Sequence, residues 1–230
     1  MPTLTSIDPV TVAHAGPNAE GAEGGRIQLS GTVSGAGSPK WAVEKGAPCS
    51  FADAGAARTT VTCTDDGSYE VTLTGGRSSD KATVTVANAA PAITSATGPA
   101  SPVSAGKRTV VTAGFGDPGT GDTHTCEVDW KDGTAPTKVP ASDSTCRAEH
   151  TYTEAGIHRP VLNLTDDDGA SDSRTLPELI VYDRAAGPAL GAGLITSPAG
   201  AYPAKPDLTG KATFSFAAAY LKGCLLYTTG

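Results

Sequence analysis

Apolar side chains recur at every second position through the first part of the chain: Ile27 and Leu29; Trp41 and Val43; Val61 and Cys63; Tyr69, Val71 and Leu73; Ala82, Val84 and Val86. The residues between them, among them Gln28, Thr62, Glu70, Thr72, Thr83 and Thr85, are mostly polar. A period of two gathers one set of side chains on one face of a strand. The pattern therefore predicts antiparallel sheets with one face on a core and the other in water. Turn residues punctuate these strands at Gly24-Gly25, Gly46-Ala47-Pro48, Asp65-Asp66-Gly67 and Gly75-Gly76.

A second set follows: Val110 and Thr112; Cys126, Val128 and Trp130; Leu162 and Leu164; and the apolar run Leu179-Ile180-Val181-Tyr182. Val43 aligns with Val128, Cys63 with Cys146 and Gly67 with Gly156, so the two sets read as internal repeats. Asn88-Ala89-Ala90-Pro91 breaks the pattern without a glycine-rich tether, as a short stiff junction does. The predicted organisation is an N-terminal extension (1–14), two β-sandwiches (15–90 and 91–183) and an incomplete third β module or tail (184–230). That tail is expected to be poorly anchored, with one alternating strand at Ala212, Phe214 and Phe216. Pro160 cannot donate to a ladder, so pairing beside it and His158 is expected to falter.

Composition agrees with an all-β chain. Gly (28) and Pro (17) are abundant and Met occurs once, which suits short strands and turns better than long helices. A net charge of -7 argues against a nucleic-acid partner, whose phosphates are met by Lys and Arg. No apolar run is long enough for a membrane-spanning helix, and Met1-Pro2-Thr3-Leu4 opens no signal peptide. If the protein is secreted, its export signal is expected to lie outside this stretch, and the chain to be incomplete.

Five cysteines resolve into one pair per repeat, Cys49 with Cys63 and Cys126 with Cys146, leaving Cys224 as a free thiol. Disulfides are the expected state, with small buried thiols as the alternative. Each bridge would close a loop of about 15 to 21 residues, for which chain entropy gives roughly 3 kcal/mol, and would persist only in oxidising surroundings. Zinc is not expected, because Cys-x-x-Cys is absent and His124 with Cys126 supplies too few ligands.

The chemically suggestive constellation is acidic: Asp117, Asp122, Asp129 and Asp132, with Asp166, Asp167, Asp168 and Asp172. Two readings stand. Hard carboxylate oxygens on loops at one end of a sandwich would hold calcium, whereas Asp at turns also caps local backbone N–H groups with no metal. Catalytic signatures are missing: no His-Glu-x-x-His and no Gly-x-Ser-x-Gly occur. His150, Glu154 and His158 have helical spacing, but Gly156 and the flanking strand chemistry argue against the helix. Gly114-Phe115-Gly116-Asp117-Pro118-Gly119 leads into a strand and reads as a turn, not a phosphate loop. Asn163-Leu164-Thr165 is a sequon whose Asn would face outward if Leu162 and Leu164 point in, open to glycosylation in a eukaryotic host.

Within the second repeat, Cys126-Glu127-Val128-Asp129-Trp130-Lys131-Asp132-Gly133-Thr134 resembles the strand of polycystic kidney disease (PKD) domains that ends in Trp-Gly-Asp-Gly-Thr, with Lys131 in place of Gly. His150-Thr151-Tyr152-Thr153-Glu154-Ala155-Gly156 and Asp166-Asp167-Asp168-Gly169 are similar to that family's later strand entry and turn. The first repeat keeps Asp65-Asp66-Gly67-Ser68-Tyr69-Glu70-Val71-Thr72-Leu73 but has Glu44-Lys45-Gly46 where the tryptophan motif would stand, and is PKD-like. The segments Ser197-Pro198-Ala199-Gly200-Ala201-Tyr202 and Leu208-Thr209-Gly210-Lys211-Ala212 resemble the module that follows such arrays in secreted actinobacterial proteins.

The resemblance implies two tandem immunoglobulin-like sandwiches of PKD type, an extracellular or cell-surface setting, and no catalytic residues to carry over. It also implies calcium as the one cofactor to consider. The expected function is a non-catalytic structural or adhesive segment that meets an extracellular protein or polysaccharide. The alternative is an accessory module targeting a secreted hydrolase, such as a chitinase or peptidase, to its polymer. Trp41 and Trp130 are expected in the core rather than on a binding face.

Overall fold

The computed structural model describes residues 10–186, 189–219 and 227–229, and among these no residue is helical. The first repeat comprises β1 (Val12–His14), β2 (Ala19–Ala22), β3 (Ile27–Ser30), β4 (Thr32–Ser34), β5 (Pro39–Val43), β6 (Cys49–Phe51), β7 (Arg58–Cys63), β8 (Gly67–Gly75) and β9 (Ser78–Ala87). One sheet has the order β2-β9-β8-β5, the facing sheet β3-β7-β6, and β1 pairs with β4. Strand β2 runs parallel to β9, whereas β8 pairs antiparallel with both β9 and β5.

The two sheets enclose a core of Ile27, Leu29, Trp41, Val61, Cys63, Val71, Leu73, Ala82, Val84 and Val86, with Ala13 and Ala15 from the N-terminal edge. The alternation read from the sequence therefore points inward as expected, with Val43 and Tyr69 partly buried at its margin. Trp41 is 2% exposed, and its indole N–H donates to the carbonyl oxygens of Ala56 and Ala57. Gly31 lies against the same ring, where an added Cβ would meet Trp41 at 2.7 Å and Leu73 at 2.5 Å. The Tyr69 hydroxyl donates to the carbonyls of Asp65 and Asp66, fastening the turn before β8 to the strand's own first residues.

The second repeat follows with β10 (Ala92–Thr97), β11 (Val103–Ser104), β12 (Arg108–Gly116), β13 (His124–Asp129), β14 (Thr137–Pro140), β15 (Thr145–Thr151), β16 (Gly156–His158), β17 (Val161–Asp166), β18 (Ser171–Thr175) and β19 (Leu179–Tyr182). Its sheets are β10-β12-β15, β14-β13-β17-β18 and β11-β19-β16. The parallel pair β11 and β19 repeats the arrangement of β2 and β9. The long strand expected after Gly156 is divided at Arg159-Pro160: β16 pairs with β19, and β17 with β13 and β18. A proline without an N–H accounts for the division.

One register differs from expectation. Along β12 the buried residues are Thr109, Val111 and Ala113, not Val110 and Thr112. Two adjacent valines leave the phase of the alternation open, and a slip of one residue exchanges the faces. The remaining core positions Cys126, Val128, Trp130, Leu162 and Leu164 are buried as predicted.

Both cysteine pairs are bonded, in different ways. Cys49 and Cys63 face each other across the ladder of β6 and β7 within one sheet, with Cα atoms 4.0 Å apart. Cys126 on β13 reaches Cys146 on β15, in another sheet, over 6.0 Å. Cys224 lies outside the described residues.

The chain groups into two compact units. The first holds Met1–Gly98, Val110–His150 and Arg159–Pro177, and so includes the first repeat and most of the second. The second holds Pro99–Thr109, Thr151–His158 and Glu178–Gly230. In the latter, Tyr152 and His158 stack with centroids 4.3 Å apart. There too β20 (Ala189–Ser197), β21 (Gly210–Ala219) and β22 (Tyr227–Thr229) form an antiparallel sheet. The predicted strand at Ala212, Phe214 and Phe216 is β21. Its two phenylalanines lie opposite Gly193 and Gly191, and each ring occupies the space a Cβ on the facing glycine would need. Both rings remain about half exposed, at 49% and 48%.

Candidate functional site

The first compact unit brings the turns at one end of each sandwich together. After β2 the chain turns at Glu23-Gly24-Gly25, held by the Glu23 N–H to Ala87 O, the Gly24 N–H to Cys63 O and the Gly25 N–H to Ala22 O. Gly24 has φ +66, and an added Cβ would lie 2.5 Å from the carbonyl oxygen of Pro118 in the second repeat. The Gly121 N–H donates to the carbonyl of Thr64 at 2.8 Å, and a Cβ on Gly121 would strike that same oxygen. Asn88 in the junction donates to Asp166 Oδ2 at 3.2 Å. Two glycines thus allow backbone to meet backbone where the repeats join.

Five carboxylates converge at this contact. Glu23, from the first repeat, is only 2% exposed; its Oε1 accepts the Ala89 N–H at 2.7 Å while Oε2 is buried without a hydrogen-bond partner. Asp122, in the turn before β13, has both carboxylate oxygens buried and unpartnered. Single oxygens of Glu23, Asp117 and Asp122 lie within 4.8 Å of one another, and so do oxygens of Asp65, Asp122 and Asp168. Asp122 belongs to both groups. Asp117 is anchored by accepting the Gly119 N–H at 2.9 Å, and its other oxygen lies 2.7 Å from His124 Nε2. Gly119 has no room for a side chain: a Cβ would approach the Glu23 and Asp122 carboxylates to about 2.5 Å. An open cleft of about 530 Å³ adjoins the cluster, lined by Phe115, Asp117, Asp122, His124, Pro140 and Ser144 among others.

The electrostatics follow from that crowding. Burial, then the charges of Glu23, Asp117, Asp167 and Asp65, push the Asp122 carboxyl up to about 7. Burial also raises Glu23, with Asp117, Asp66 and Asp65 adding to the effect and the Ala89 hydrogen bond opposing it. Exposed Asp168 is raised by slight desolvation and then by Asp66 and Asp167.

Of the eight aspartates singled out from the sequence, the structure gathers Asp117, Asp122 and Asp168. Asp129 and Asp132 stand at the far end of β13, a strand of six residues, and take no part. Asp129 accepts from Lys131, and Asp132 from Thr134. Asp166, Asp167 and Asp172 lie nearer but are engaged by backbone N–H groups: Ala170 on Asp166, Thr123 on Asp167, and Ile93 and Ser173 on Asp172. Glu23 and Asp65 escaped the sequence reading. Each is a polar residue in a turn, and nothing local distinguishes it from a solvated one; the only hint is Gly24-Gly25, a sign of close backbone approach.

The motif around Trp130 has a structural role. The indole is fully buried and donates to Thr137 Oγ1 at 2.8 Å. The His150 ring stacks on it, and Asp132 holds that ring. Lys131, at φ 57, occupies the left-handed region where glycine is the usual residue, so its difference from the Trp-Gly-Asp-Gly-Thr pattern carries a backbone cost.

Residues 88–181 match the family model described as PKD domain. No curated protein matches the chain. Among solved structures, it is similar to invasin, titled a bacterial integrin-binding protein (14% identity, 95% of this chain and 59% of that one, TM-score 0.45). It is also similar to the adhesin InvE of Yersinia pseudotuberculosis (10% identity, 76% and 59% covered, TM-score 0.41). A third is a structure of titin domains I67–I69 (13% identity, 96% and 82% covered, TM-score 0.35).

Proposed function

We propose that this chain is a non-catalytic, extracellular structural segment, in which two immunoglobulin-like sandwiches form a stiff spacer that presents its loops or a neighbouring module to an extracellular protein or polysaccharide. The observation that carries this reading is the direct docking of one repeat on the next. Gly121 donates to Thr64, Asn88 to Asp166 and the Ala89 N–H to Glu23, all across or at a junction too short to act as a flexible tether. One disulfide in each repeat fits an oxidising compartment. The large aromatics Trp41 and Trp130 are buried in packing.

Backbone ¹⁵N relaxation on the full chain tests the spacer. A rigid tandem gives residues 27–87 and 110–148 one common rotational correlation time, and separate, shorter times for the two stretches would overturn it. Incubating the same protein with collagen, chitin and cellulose separates the spacer from targeting to a polymer: selective retention on one of the polysaccharides would favour an accessory module of a hydrolase.

A further inference from the structure

We propose that Glu23 and Asp65 of the first repeat, with Asp117, Asp122 and Asp168 of the second, form a binding site for calcium that clamps the two repeats together. The inference goes beyond the spacer reading and does not depend on what the tandem holds. An acidic cluster alone would not support it, since aspartates often serve only their own turns. Here a second observation points to a ligand. Glu23 is 2% exposed, it offers an oxygen to the cluster, and its Oε2 is buried without a hydrogen-bond donor. Both oxygens of Asp122 are in the same condition. Buried acceptors without partners are rare in folded proteins because their desolvation is uncompensated.

The chemistry of the missing partner can be read from the donors. All are hard carboxylate oxygens, which suit calcium or magnesium, and neither sulfur nor a set of imidazoles is present to favour zinc. Among the described residues, the one basic group recorded against the five acids is His124, on Asp117, so their charge calls for a cation from solution. Calcium accepts irregular sets of about 6 to 8 oxygens at ~2.4 Å, of the kind that carboxylates drawn from separate turns supply. Magnesium demands tight octahedra at ~2.1 Å and retains its water. Two three-carboxylate groups sharing Asp122 provide the core of such a set, with water completing it.

The role follows from where the ligands originate. Glu23 and Asp65 belong to one sandwich, and Asp117, Asp122 and Asp168 to the other. Without a cation their like charges oppose the docking that Gly121 and Asn88 hold together; with one, the same charges draw the repeats onto a shared centre.

The test uses the full chain, stripped with chelator and titrated calorimetrically with calcium chloride, with magnesium chloride in parallel. Calcium is expected to bind and to raise the melting temperature by roughly 5 °C at millimolar concentration, with a smaller effect of magnesium. Glu23→Gln keeps the acceptor for the Ala89 N–H, and Asp65→Asn alters a turn residue; each is expected to weaken calcium binding about tenfold by removing a ligand charge. In chelator the Glu23→Gln protein should melt no lower than the parent, because the acceptor for the Ala89 N–H is kept and one of the crowded like charges is removed. Asp129→Asn, at the far end of β13, should bind like the parent. Absence of calcium binding by the parent chain overturns the proposal. Parent-like affinity in both Glu23→Gln and Asp65→Asn also overturns it, by confining any cation to the second repeat. Should Glu23→Gln fail to fold, Asp65→Asn decides the matter by itself.

Discussion

His150 Nε2 lies 2.7 Å from Asp132 Oδ2, and the imidazole so held lies on the indole of Trp130 with centroids 4.8 Å apart and planes 18° from parallel. The pair explains why a buried tryptophan, an aspartate two residues on and a distant histidine occur together. The aspartate closes its own turn through Thr134 and fixes the ring that covers the core.

Burial would raise the Asp132 carboxyl, but hydrogen bonds from Thr134 and His150 outweigh it and bring it to about 2. A carboxylate depressed in the folded state contributes stability above its unfolded value of 3.8, and that stability is lost as pH falls through the folded value. Asp132→Asn should therefore cost about 2 kcal/mol at pH 7. The gap between variant and parent should close between pH 4 and 2, as followed by urea unfolding. A constant gap across that range would detach the effect from the charge.

Breaking the inter-sheet disulfide tests the second sandwich. Cys126 and Cys146 are 20 residues apart in sequence and belong to different sheets, so their bond shortens the unfolded chain and joins β13 to β15. Replacing both by alanine should lower stability by about 3 kcal/mol in denaturant titration. Thiol titration of the unfolded, unreduced parent should find neither of these sulfurs free. Two reactive thiols from this pair would contradict the bridge.

Much of this fold was legible because the first repeat alternates without ambiguity. Ile27, Leu29, Val71, Leu73 and Val84 are each flanked by polar residues, so only one face can be buried. Legibility failed at Val110-Val111, where two β-branched residues allow either phase. Pro160 correctly announced the break between β16 and β17. The acidic site was half legible. Asp117, Asp122 and Asp168 stood out as turn carboxylates, but Asp129 and Asp132 could have been set apart at once, because a strand separates them from Asp122. Glu23 and Asp65 could not be found, since their meeting with Asp122 depends on how one sandwich docks on the next, and no local periodicity encodes that.

Gly121 provides the corresponding test of docking. Its N–H donates to Thr64, and a side chain there would meet Thr64 O at 2.8 Å and Asp65 Cβ at 3.3 Å. Gly121→Val should push the turn away and lower stability by about 1 to 2 kcal/mol, as overpacking does. Limited proteolysis should then cut the junction near Asn88-Ala89 faster than in the parent. An unchanged cleavage rate would show that this contact does not protect the junction.

Asp122 makes the opposite prediction, a substitution that stabilises. Its carboxyl is raised to about 7 by burial first, and then by the charges of Glu23, Asp117, Asp167 and Asp65. An acid raised in the folded state favours folding below its unfolded value of 3.8, and that advantage is lost as pH rises through about 7. In chelator, this group should therefore make the parent melt lower at pH 8 than at pH 5. Asp122→Asn keeps the shape and removes the charge, so in chelator at pH 8 it should be more stable than the parent by about 1 to 3 kcal/mol. The difference should shrink as pH falls and close only near pH 3, below the unfolded value of 3.8, where the parent's carboxyl is protonated in both states. An Asn variant less stable than the parent at pH 8 would mean that the ionised carboxylate has a favourable partner in the metal-free fold that outweighs the crowding of like charges.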